Sequence, residues 1–359
     1  MTGQMGQMRL CLRVLTFLLA LIALSMLVPI ACALALGEHQ VIRAFALPAI
    51  FFFVLPFICY PLTAQRKYSS KSGKSKKSES GKSEASISGK SNISLKGGYV
   101  LVALCYAAAC FAGAIPLVLS GCVASIPDAI FESVSGFSTT GATVLPNIDA
   151  LPMSINVWRC ELHWLGGMGI IALTVALLPL LGIGGFQLYK AETTGPEKGK
   201  ITPRIAATAK ILWLIYLTFT VCGTFSLKLS GMDFFDALAH SFSILGAGGF
   251  STHSASLAFF DAPAINRVCA FLMFLTGVNY ALYYYALSGR IREVRDNTEL
   301  KVYVALVVTA TLVLCAVLFP QYFSIRQINR PIEFSSFLTL IESSFFSRCF
   351  AAYHHRFDF

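Results

Sequence analysis

The chain has 359 residues, of which 56% are hydrophobic and 13% charged, with a formal net charge of +10. At a mean hydropathy of +0.68, a soluble domain could not cover its apolar surface. Composition therefore excludes the soluble globular classes, and the positive charge bears first on membrane orientation and only secondarily on nucleic acid. The 11 cysteines form no CxxC pair. Cys11, Cys32, Cys59, Cys105, Cys110, Cys222, Cys269 and Cys315 lie in apolar runs, where cysteine acts as a small hydrophobe, so neither a disulfide framework nor a metal site is expected.

Arg9 and Arg13 flank a first apolar run at 10–36. It is too long for the core of a secretory signal and is read as a retained transmembrane helix. A polar break at 37–40 leads to a second run at 43–62, close to the ~20 residues a span needs. Residues 65–95 are Ser, Gly and Lys with almost no apolar content, the composition of a disordered cytoplasmic linker. A third span is predicted at 99–120, a fourth at 158–189, a fifth at 205–229, a sixth at 264–287 and a seventh at 302–319. Gly166, Gly167 and Gly169 in the fourth span allow close helix packing. Arg159, Glu161 and His163 at its outer end read as interfacial anchors rather than an acid–base site.

Between the third and fourth spans lies DAIFESVSGFSTTGATVL (128–145), and between the fifth and sixth lies DALAHSFSILGAGGFSTHS (236–254). They align without a gap, since 236 − 128 and 249 − 141 both equal 108. Each is a short apolar segment, too short to cross a bilayer, that passes into Gly, Ser and Thr. Irregular backbone persists at membrane depth only where it lines a polar cavity or is buried in protein. Gly141 and Gly249 can take φ > 0 cheaply, letting successive carbonyls face one way, and a ring of carbonyls can replace water around a cation. One such segment is equally compatible with an ordinary turn; two gapless copies favour an ion pathway.

Lys and Arg recur on one side, at Arg9, Arg13, the linker, 190–204 and 290–301, whereas the opposite loops hold Glu38, Asp128, Asp149, Asp233, Asp236 and Asp261. This puts the N-terminus in the cytoplasm and both re-entrant segments on the outer side, where the acids concentrate cations modestly.

Three stretches closely resemble the membrane subunit of bacterial Trk-type potassium uptake systems, of the Trk/Ktr/HKT superfamily: SGFSTTGATVL (135–145), WLGGMGIIALTVALLPLLGIGGFQLYKAETTGPEKGKITPRIAATAKILW (164–213) and GMDFFDALAHSFSILGAGGFSTHSAS (231–256). The likeness runs over about 98–320. It implies an all-α integral membrane fold of helix–pore loop–helix repeats, two complete and one partial, preceded by two extra helices. The units would be 1–64 (two helices), 65–97 (linker), 98–190 and 191–298 (repeats), and 299–359 (partial third repeat). It implies that Thr139, Thr140 and Gly141 supply one quarter of a selectivity filter and Ala247, Gly248 and Gly249 another. It further implies K+ as the transported ion with no covalent cofactor, a bacterial inner-membrane location, a homodimer, and a cytosolic nucleotide-binding regulatory ring as partner. Channel-like and proton-coupled transport both stay open, as does selectivity between K+ and Na+.

The chain departs from the family where a third filter loop is due, at 348–359. Arg348 to Phe357 can be written CGT TGT TTC GCT GCT TAC CAC CAC CGG TTT, and one nucleotide later the same string encodes Val-Val-Ser-Leu-Leu-Thr-Thr-Thr-Gly. A frameshift inside the third filter is the expectation, and His354 and His355, being adjacent, make a poor metal site. A non-conducting inserted fragment is thus the alternative to a pore-forming subunit. An enzyme is not expected, because the sequence holds no paired carboxylates, Ser/His/Asp set, HExxH or P-loop.

Overall fold

The computed structural model describes residues 2–63, 95–123, 125–167, 169 and 205–326. The charged linker, most of the fourth span beyond Gly167, the loop after it and the tail at 348–359 lie outside these residues. Among the described residues all regular structure is helical.

The first predicted span is α1 (Thr2–Ser25) followed by α2 (Leu27–Leu36). Pro29 accounts for the break: it has no N–H to offer the Ser25 carbonyl, and its ring crowds that carbonyl. Helix α2 stops at Gly37, which is left-handed with φ 74, and α3 (His39–Thr63) is the second span.

Two units of the same design follow. The first is α4 (Leu95–Leu119), α5 (Ile126–Phe137) and α6 (Met153–Gly167). The second is α7 (Ile205–Leu229), α8 (Phe234–Leu245), a short 3-10 turn at Ser256–Phe260, and α9 (Pro263–Thr276). Helices α5 and α8 are 12 residues each, about 18 Å long and well short of a bilayer's thickness. Each starts on an acceptor side chain. Ser125 Oγ accepts the Asp128 N–H, and the Asp233 carboxylate accepts the Phe235 N–H.

Among the described residues five helices are long and apolar enough to cross a membrane, or six if a bent pair counts as one span. That pair corrects the continuous sixth span read at 264–287: α9 and α10 (Tyr280–Leu287) meet at 87°. The Asn279 side chain caps α10 by accepting the Ala281 N–H. The carbonyls freed at the bend are satisfied, with Tyr303 Oη donating to Phe274 O and Tyr283 Oη to Leu275 O. The loop after α10 contains a helical turn, α11 (Ile291–Asp296), and α12 (Thr298–Arg326) is the seventh span.

Helix α6 is the hub. It packs against α2, α5 and α8, while α5 also packs on α4 and α8 also packs on α7 and α9. Its N-terminus is fixed by Glu38 from the turn after α2, whose carboxylate accepts the Met153 N–H at 2.7 Å and the Ser154 N–H at 3.0 Å, an anion at the positive end of a helix. One apolar cluster gathers α1, α3, α4, α5 and α6, another gathers α7, α8 and α9, and a third joins α2, α6 and α8. Outward-facing Phe51, Phe53, Phe57 and Ile58 are exposed, forming an apolar surface suited to lipid.

Candidate functional site

The duplicated segments close their half-helices alike. At the end of α5, Thr139 N–H bonds Gly136 O and Thr140 N–H bonds Ser135 O; at the end of α8, Ala247 N–H bonds Ile244 O and Gly248 N–H bonds Ser243 O. Each pair is a Schellman closure, and the two are related by the 108-residue offset. The left-handed residue in each is not glycine: Thr139 and Ala247 both have φ 55. That conformation costs a residue with a Cβ about 1–2 kcal/mol and persists only where surrounding structure enforces it. The positive φ foreseen at both Gly141 and Gly249 holds for Gly141, at φ 77, whereas Gly249 is not among the positive-φ residues. The left-handed step that both loops share lies two residues earlier.

The six predicted site residues lie on these two loops. Gly141 and Gly249 come together: a methyl added to Gly141 would sit 2.7 Å from the Gly249 nitrogen. Thr139 is half-buried, Thr140 and Ala247 are exposed, and Gly248 is buried. Gly248 lies against His163, where a methyl would be 1.9 Å from Cδ2. The close-packing role read for the α6 glycines holds for Gly166 and Gly167. A methyl on Gly166 would meet the Phe137 carbonyl oxygen at 2.2 Å, and one on Gly167 would meet Gly246 Cα at 2.4 Å. The helix thus touches the ends of both half-helices.

Arg159, Glu161 and His163 are not interfacial anchors. All three are buried, with Arg159 and His163 at 0% exposure. Arg159 Nε pairs with Glu132 Oε2 at 3.2 Å, both side chains being fully buried. The other oxygen of Glu132 accepts the Thr143 hydroxyl and, at 2.8 Å, the Val144 N–H. Arg159 also donates to Thr143 Oγ1, Asn156 Oδ1 and the Ser251 carbonyl. One guanidinium therefore ties α5, the segment that follows its loop and the second loop together. The second unit repeats this brace with other chemistry. Glu132 and Thr143 correspond, at the same offset, to His240 and Ser251, and His240 Nε2 meets Ser251 Oγ at 2.9 Å. Ser133 donates to Cys110 O on α4, and its counterpart Ser241 donates to Thr220 O on α7.

Sequence reading missed Glu132, Arg159, His163 and His240 as loop supports. A signal was available: Glu132 is an acid inside a short apolar membrane segment, and such residues are rare unless they have work and a partner. Glu161 differs, since its Oε2 has no hydrogen-bond partner among the described residues. Glu161→Leu is expected to raise stability by about 1–3 kcal/mol, read as a higher melting temperature in detergent; a fall of that size would reveal a partner.

Beyond the loops, the return segments at 142–152 and 250–255 clasp each other. Asp149 Oδ1 lies 3.0 Å from His253 Nδ1, Asp149 Oδ2 accepts the Ser254 N–H at 3.2 Å, and Ser254 Oγ accepts the Ile148 N–H. Asn156 donates to both Ile148 O and Thr252 O. Hydrogen bonds from Ser254 and then His253 hold the Asp149 carboxyl below its ordinary value of 3.8. A depressed carboxyl stabilises the folded state above its unfolded pKa and loses that contribution as pH falls through the folded one. The clasp should therefore hold through pH 4 and open only below it. The exchange rate of the Ser254 amide against pH tests this, and Asp149→Asn should abolish the acid transition.

Comparison with known proteins places this geometry. A family model for TrkH, described as a cation transport protein, matches residues 88–325. The chain is 48% identical over 225 residues to the Trk system potassium uptake protein TrkH of Escherichia coli (strain K12), covering 60% of this chain and 46% of that protein. It is 39% identical over 289 residues to the TrkH of Vibrio parahaemolyticus, covering 79% of this chain and 54% of that one. The crystal structure of the potassium transporter TrkH from Vibrio parahaemolyticus superposes with a TM-score of 0.69 at 32% identity, covering 95% of this chain and 63% of that chain. The chain thus spans about half the length of the curated relatives it matches. With its apolar helices this makes it a multi-pass membrane protein of a transport family rather than of an enzyme family: the chain belongs to the TrkH family of cation transport proteins.

Proposed function

We propose that this chain is a membrane subunit of a potassium uptake system, and that Thr139, Thr140 and Gly141 together with Ala247, Gly248 and Gly249 present backbone carbonyls to K+ along the ion path. The observation that carries this reading is the pair of strained, hydrogen-bond-matched loops that meet at Gly141 and Gly249. A loop that accepts a costly φ in both of its copies is built for a purpose beyond connection. The closed ends of α5 and α8 add the partial negative charge of two helix C-termini next to the loops, which favours a cation. The relatives' names supply the ion.

These two loops are half of the four-loop ring that the resemblance implies. The subunit is read as lying in the bacterial inner membrane with its N-terminus inside. A second copy and a cytosolic nucleotide-binding ring are its expected partners. The coverage of about half of each relative favours one other reading, a fragment that inserts without conducting. Rubidium-86 uptake decides between them, in a bacterium lacking its own potassium uptake and in liposomes carrying the purified chain. Uptake that K+ competes away and Na+ does not is the expected result. Normal insertion with no uptake supports the fragment.

A further inference from the structure

We propose that His163 is a positioning residue for the second loop: although it belongs to the first unit, it sets the direction in which the Gly248 and Gly249 carbonyls face. The inference deepens the potassium reading and rests on it for the meaning of those carbonyls, but its geometry stands separately. His163 is fully buried, and both ring nitrogens are engaged. Nδ1 lies 2.8 Å from Gly136 O, which can only accept, so Nδ1 carries the proton. Nε2 lies 3.2 Å from the Gly249 nitrogen and 3.1 Å from the Phe250 nitrogen, and both of these can only donate. The two bonds fix one tautomer, with Nε2 as a shared acceptor.

Two successive N–H groups therefore aim at one point on α6. Both peptides are trans, as no cis peptide occurs among the described residues. In a planar trans peptide the C=O preceding an N–H points the opposite way. The Gly248 and Gly249 oxygens thus face away from α6. Without the acceptor, those peptides could rotate at little cost, because glycine tolerates many φ values. The loop is also moulded on the ring. Gly248 leaves no room for a side chain beside Cδ2, and Phe250 stacks on the imidazole with centroids 4.2 Å apart. On Phe250 the Arg159 guanidinium lies 4.3 Å from the ring centroid. Arg159 and His163 are four residues apart and share one face of α6, so a single helix face grips the second loop.

The test uses the full chain in detergent. His163→Phe keeps a ring to stack on Phe250 and deletes the acceptor, while His163→Gln places an oxygen near the Nε2 position. Amide hydrogen exchange over Gly249 and Phe250 should be at least about tenfold faster in the Phe variant, the size of one lost hydrogen bond, and near the unsubstituted rate in the Gln variant. An unchanged rate in a folded Phe variant overturns the proposal. Should the Phe variant fail to fold, nitrogen-15 spectra of the unsubstituted protein decide: a proton on Nδ1 and a bare Nε2 support it, and a proton on Nε2 overturns it. Melting in K+ against Na+ is a separate arm. A K+-specific rise that His163→Phe removes and His163→Gln retains supports the role in ion binding. Absence of any rise in the unsubstituted protein counts against the potassium reading alone, while the exchange result still decides the role of His163.

Discussion

Arg159→Met is expected to destabilise the protein by about 3–5 kcal/mol, the usual cost of removing one partner from a buried ion pair. The size follows from what stays behind. Glu132 is fully buried and would keep only the Thr143 hydroxyl and the Val144 N–H. The Ser251 carbonyl and Asn156 would each lose a donor as well. The double variant Glu132→Gln with Arg159→Met should recover more than half of that loss, because a neutral amide still accepts the Val144 N–H and carries no stranded charge. Chemical denaturation in mixed micelles, run as a double-mutant cycle, reads both numbers. A single-variant cost below about 1 kcal/mol would mean that water or lipid headgroups reach the pair. Because Arg159 spans both units, its loss should also speed amide exchange in the second loop, which Glu132→Gln alone should do less.

The second large effect belongs to Gly141. Gly141→Ala should cost about 2–5 kcal/mol, combining a left-handed φ worth about 1–2 kcal/mol with overpacking worth about 1–3 kcal/mol. The clash would be with backbone, since the new methyl lands 2.7 Å from the Gly249 nitrogen and 2.8 Å from its Cα, and backbone cannot rotate aside as a side chain can. Gly37 is the control. It has nearly the same φ, 74, and nothing within 4 Å of a new methyl, so Gly37→Ala should lose only the conformational part. Melting temperatures of the two variants separate strain from contact. Equal losses would mean that the two loops do not touch at Gly141.

What could be read from residues alone follows from where the information sits. The two half-helices and their loops were legible because the copy at 236–254 repeats 128–145 without a gap, and because the short apolar segment in each copy cannot span a bilayer. The braces were not legible, because their partners are far apart in the chain. Arg159 reaches Ser251, and His163 reaches Gly249 and Phe250. In the brace that is repeated, Glu132 has become His240, so comparison of the copies hides a shared role. Positive φ was assigned to Gly141 and Gly249 because glycine is its usual host; Gly141 has it, but the closure of each half-helix also places it on Thr139 and Ala247. The bend at 277–279 was masked by continuous apolar character. Its local marks are Gly277 and Asn279, and of the tyrosine hydroxyls that make it tolerable one comes from Tyr283 on α10 and the other from Tyr303 on α12.

The placement of His163 has a consequence for how such a molecule could arise. Its imidazole sits on the last helix of one unit and completes the loop of the next, so a unit expressed alone would carry an acceptor with no loop to hold. A gene encoding one unit could therefore yield a working assembly only by self-association, each copy supplying its helix to a neighbour in turn. In a chain that carries both units the two copies need not be identical, and Glu132 and His240 stand at matching positions with different chemistry.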